Sequence, residues 1–166
     1  MILADACLSM GMEVPELREE DIPFILSGMD FPPHAPVPRN PVDFAGSHTA
    51  LMEAMVLNRM AQLDYIDGII TPRPITANVA AGDSAEQQRT DAEVGELLAA
   101  IPREYGKPVV LVDLGLSRSN VFPTSEALTQ ALRAADIPSF ETPEEAARAM
   151  STLMKYADIK RHFNEQ

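Results

Sequence analysis

Cysteine is nearly absent from this 166-residue chain: the lone Cys7 permits no internal disulfide and fits a reducing compartment. Positive charge is also scarce. Lys and Arg total 13 against 25 Asp and Glu, for a net charge of −12. That balance excludes a nucleic-acid or anionic-membrane surface, which needs clustered cations, but it leaves room for a single phosphate site built from helix N-termini and backbone amides. There is no Trp, and only three Tyr, so a bound flavin would find few stacking partners. No apolar run reaches membrane-spanning length, and Asp5 interrupts the short apolar start with no basic region before it, so no signal peptide is expected. A glycine-rich phosphate fingerprint, a paired-Cys metal motif and a nucleophile elbow are all missing.

What is there suits one core. Hydrophobic residues make up 46% of the chain, enough for a single cytoplasmic α/β domain, expected over residues 1–159 with a frayed tail over 160–166. Met1 to Met10 reads as a helix closed by Gly11, followed by a short extended piece at Met12 to Pro15. Leu17 to Ser27 suits a second helix with Pro23 in its first turn. The five prolines between Pro32 and Pro41 make a stiff connector. Leu51, Met52, Met55, Val56, Met60 and Leu63 recur at helical spacing; their methionines read as core. Gly68 to Thr71 is a short buried strand ended by Pro72 and Pro74, and Ala77 to Ser84 reads as a loop.

A second amphipathic helix spans Glu86 to Tyr105. Pro108 to Val112 is a continuous apolar run, as a parallel strand buried on both faces requires. Leu114 to Pro123 is a loop, Thr124 caps a helix containing Leu128 and Leu132, and Ile137 to Phe140 is the last strand. Thr142-Pro143-Glu144-Glu145 supplies a cap, a Pro in the first turn and a capping-box acid for the final helix. Strands separated by helices imply parallel strands with crossovers, hence a three-layer flavodoxin-like sheet.

Candidate site residues cluster around the turn at Asn40 to Thr49 and the carboxyl ends of the strands. Pro41 holds Asn40 extended, Asp43 orients its own turn or meets a partner, Gly46 opens a turn closed to other residues, and Ser47 or Thr49 caps the helix. His48 sits at that helix start; ordinary capping explains it, and a phosphate contact is the weaker alternative. Arg73, held between Pro72 and Pro74 beyond a strand, offers a cation to an anion or an interface. Asp113 ends the other strand and approaches a ligand or bonds a neighbouring helix. His34 and His162 read as surface. No residue is assigned a catalytic or metal-ligating role.

Several segments together resemble the C-terminal flavodoxin-like domain of ADP-forming acyl-CoA synthetases, relatives of succinyl-CoA synthetase. They are Ala4-Asp5-Ala6 with Gly11 to Leu17; Asn40-Pro41-Val42-Asp43-Phe44 with Gly46; Asp67 to Pro72; Gly106 to Val110; and Ala135 to Phe140 leading into Pro143 to Ala149. Family members carry a strand and a glycine-rich turn before the helix that begins here at Met1, so the resemblance implies a sheet lacking its first strand. An edge left open at Gly68 to Thr71 would then favour irregular packing of residues 1–40 or a homodimer through that edge. The family's phosphorylated histidine lies in another segment, and Ser47-His48-Thr49 matches it only by coincidence. The resemblance implies a ligase that passes phosphate through a histidine, with ATP or ADP, CoA and Mg bound in other domains or subunits and no cofactor in this chain. The chain's own part would be to scaffold the phosphoryl-transfer site. The alternative is a non-catalytic, synthetase-like regulatory domain of a protein lysine acetyltransferase.

Overall fold

The computed structural model describes residues 2–29, 37, 39–44, 49–75, 85–113 and 125–164. Helices α1 (Ile2–Ser9), α2 (Ile22–Ile25) and α3 (Ala50–Met60) precede strand β1 (Ile69–Pro72). Helix α4 (Ala85–Ala100) runs into a π-helical turn at Ile101–Tyr105. Strand β2 (Val109–Val112), helix α5 (Glu126–Ala134), strand β3 (Ser139–Phe140) and helix α6 (Pro143–Asn164) complete the order. The strands form one parallel sheet in the order β1-β2-β3.

Helices cover both faces. Ile69, Val109 and Leu111 point into a core shared with Val56 and Leu57 of α3, Val94 and Leu98 of α4, and Leu128 and Leu132 of α5. On the opposite face Val110 and Val112 meet Ala146 and Met150 of α6, with Leu3 of α1 and Ile70 packed alongside. Central strand β2 is buried on both faces, which is why its sequence is an unbroken apolar run.

Local chemistry sets most boundaries. Gly11, at φ +78°, closes α1: the Met12 amide donates to Cys7 O at 3.1 Å and the Gly11 amide to Leu8 O at 3.0 Å, a Schellman ending. Gly106, at φ +66°, closes the π-helical turn. Ser47 lies outside the described residues; Thr49 caps α3, its hydroxyl accepting the Met52 amide at 3.2 Å. Thr142 does the same for Glu145 in α6.

Four expectations need correction. The helix expected over Leu17 to Ser27 is a single turn, Ile22–Ile25, because Pro23 confines the start and Gly28, at φ +71°, ends it. Arg59 of α3 then satisfies the carbonyls of Ile25 (2.8 Å) and Ser27 (2.6 Å), so tertiary contact holds what propensity cannot. Helix α6 continues to Asn164 where a frayed tail was expected. The last strand is two residues long, and Pro72 lies inside β1 as its final residue.

Thr124 and the loops at 77–84 and 114–123 lie outside the described residues, as does most of the proline-rich connector. At α5 the cap is Ser125, whose hydroxyl accepts the Leu128 amide at 3.3 Å. Ser125→Ala should therefore cost about 1 kcal/mol in urea unfolding, against a few tenths for Thr124→Ala. Equal costs would show that the cap is misassigned.

Candidate functional site

A trough of about 1910 Å³ runs along the outer side of β1. One wall is the strand with its approach, Ile66 to Arg73; the other includes the segment Gly11 to Pro15. Helix α1 and Met150 and Met154 of α6 border it on one face, and α3 with Asn40 to Phe44 on the other. Two polar contacts fix these borders. Asn40 donates through Nδ2 to Pro15 O at 2.9 Å, tying the Asn-Pro-Val-Asp turn to the segment after α1. Thr71, buried on β1, donates to Glu53 Oε1 of α3 at 3.0 Å.

At the carboxyl end of the sheet the trough meets a polar cluster. Arg73 follows β1, and its amide still donates to Val112 O at 2.9 Å, so the backbone is held while the side chain turns away. Nη2 donates to Thr129 Oγ1 of α5 at 2.9 Å, whereas Nε is buried and has no hydrogen-bond partner among the described residues. Burial pulls the guanidinium below its ordinary pKa; Asp113 opposes that shift and Arg133 adds to it. Arginine stays protonated at neutral pH regardless, so the residue is a fixed cation whose buried Nε–H is unused among the described residues. Asp113, whose amide donates to Phe140 O at 2.7 Å, ends β2 beside it.

Asp91 of α4 is a second polar group with spare capacity. The residue is fully buried; Oδ1 accepts from Gln87 Nε2 at 2.8 Å, and Oδ2 has no partner among the described residues. Buried carboxylate oxygens without partners are uncommon and costly. Gln87 and Thr90, on the same turns of α4, line the trough.

The structure thus brings Asn40, Asp43 and Arg73 to one trough and sets Asp113 beside Arg73. Gly46 and His48 lie outside the described residues. Glu53, Thr71, Asp91 and Thr129 were missed from sequence, because each acquires its place through a partner on a different element or through burial alone. Cys7 also lines the trough, half-buried, and burial raises its thiol pKa above the usual value.

Among the described residues, no group of three or more His, Cys, Asp or Glu side chains is placed to hold a metal ion, and no helix is long and apolar enough to cross a membrane. The chain matches no family model, no curated protein and no solved structure; what its fold establishes is an α/β domain with a three-stranded parallel sheet flanked by helices.

Proposed function

We propose that this chain is a scaffold domain of an ADP-forming acyl-CoA synthetase, which completes a phosphoryl-transfer site with other domains or subunits and performs no chemistry alone. The observation that carries the reading is the convergence of Arg73 and Asp113 at the carboxyl ends of β1 and β2, the place where parallel sheets put their ligands. Arg73 is held by Thr129 yet keeps a buried donor unused, as a residue does when it waits for an acceptor from outside the chain. The order of the segments that resemble the synthetase domain supports the same reading: α1 with its Gly11 turn, the Asn40-Pro41-Val42-Asp43 turn, β1, β2, β3 and α6 follow one another as the resemblance requires. ATP or ADP, CoA and Mg would belong to the companion domains.

Reconstitution tests it. The purified chain alone should release no CoA from acetyl-CoA in the presence of ADP, Mg and phosphate. Added to the ATP-grasp and CoA-binding polypeptides of the same organism, it should raise that release at least about tenfold. Arg73→Met should remove the stimulation while changing stability by less than about 1 kcal/mol, since it loses one hydrogen bond and one unpartnered donor together. Release by the chain alone would overturn the scaffold role, and an absence of stimulation would overturn the synthetase reading. Stimulation of lysine acetylation in its place would favour the regulatory alternative.

A further inference from the structure

The backbone of β1 presents half of its polar groups to the trough. Amides of Ile69 and Arg73 donate to Pro108 O and Val112 O on β2. Because alternate residues of a parallel strand face opposite neighbours, Gly68, Ile70 and Pro72 face away from β2. Among the described residues no strand lies on that side, so Ile70 offers a free N–H and C=O and Gly68 and Pro72 each offer a C=O. Pro72 has no N–H to offer, which ends any ladder there.

This edge is not laid out flat to solvent. Leu3 of α1 and Met150 of α6 stand over it on one face, and Leu57 and Met60 of α3 on the other, all lining the trough. Helices α1 and α3 make their main contacts with α6 and α4, not with β1. They overhang a space alongside the strand that the described residues do not fill. Across that space lie Glu13 and Val14, whose backbone groups likewise make no backbone hydrogen bonds among the described residues.

We propose that the trough binds a single extended segment of another polypeptide, which adds to β1 as a parallel strand. Its chemistry follows from the walls. Side chains at alternate positions enter apolar surroundings on both faces, so the segment is apolar throughout, as a strand buried on two sides must be. Neither Pro nor a charge fits at the positions that bond Ile70. The exposed rim carries Glu13, Asp43, Asp67 and Asp158 against Lys155, with the half-buried Arg73 as the other cation among the described lining residues, so acid outweighs base and basic residues flank the apolar stretch. A second copy of this chain is disfavoured as the occupant: its own β1 is recessed between helices in the same way, and two recessed edges do not reach each other. The inference stands on the geometry of β1 and not on the functional reading above.

The test uses the full chain and a displayed library of decapeptides with Lys flanks and randomised apolar centres. The tightest binder, resynthesised, should slow exchange of the Ile70 amide at least about tenfold and leave the Leu111 amide, already bonded to Pro138 O, unchanged. Alkylation of Cys7, the chain's one thiol, should slow with the same dependence on peptide. N-methylation of the peptide at the residues that bond β1 should weaken binding at least about tenfold, because it removes donors with little change in hydrophobicity. Enrichment no greater than in an Asp-flanked control library would overturn the proposal, as would a binder indifferent to N-methylation. Concentration-dependent protection of Ile70 in the protein alone would assign the trough to a second copy and overturn it too.

Discussion

Gly95→Val is expected to destabilise the protein by about 2–3 kcal/mol, enough to lower its urea midpoint clearly. Gly95 lies in α4 where that helix crosses α5, and a β-carbon built on it would sit 2.5 Å from the Ala131 β-carbon. Real β-carbons do not approach so closely, and neither atom is the tip of a flexible side chain. The helices would have to part, and Leu128 and Leu132, buried beneath the crossing, would lose contacts with them. Overpacking of this kind costs about 1–3 kcal/mol for added methylenes, and the β-branched Val brings only part of the helix-propensity gain that Ala would. Gly95→Ala gains about 1 kcal/mol of propensity and should lose less overall. The double variant G95A/A131G should recover most of that loss, a coupling that distant sites would not show. Additive losses in urea midpoint would mean that the crossing is looser than the structure has it.

Leu111→Ala should cost about 3–4 kcal/mol, near the upper half of the range for burying a cavity in a packed core. Leu111 is wholly buried at the centre of β2, with α4 and α5 above it and strands on both sides. Ile70→Ala, one strand away, should cost only about 1–2 kcal/mol, because Ile70 is half-exposed on the edge that borders the trough. The contrast is the measurement. If the two truncations cost the same, the outer side of β1 is covered in solution and the trough is closed.

How much of this was legible in the sequence depended on how local its cause was. Gly11, Gly106, Thr142-Pro143 and the apolar run from Pro108 act on their immediate neighbours, and each marked its boundary correctly. The Leu17 to Ser27 helix failed because apolar spacing is weaker than a Pro and a Gly placed five residues apart, Pro23 and Gly28. The length of α6 was underestimated because its last turns are exposed all round, Tyr156, Ile159 and Phe163 included, so no buried face marks them as helix. The candidate site divides in the same way. Arg73 and Asp113 stood out as charges at the ends of strands. Thr129, 56 residues from Arg73, and Glu53, 18 residues from Thr71, carry no mark until the fold brings them together. Asp91 looks like any surface carboxylate on an amphipathic helix, and only its burial between neighbouring helices distinguishes it.

Helix α1 rests on α6, and the Ser151 hydroxyl donates to Met10 O across 141 positions of chain. A ribosome making this protein produces the first of these helices well before the helix that supports it. At about 5–20 residues per second, α1 waits roughly 7–30 s for the surface it needs. An eight-residue helix is too short to persist alone in water, so during that interval the segment is helical only in passing. The sheet and the α3–α4–α5 layer can assemble meanwhile, and α1 docks last. Through that interval the α1 segment stays open to holding chaperones and to proteases, and it is α6 that ends the exposure.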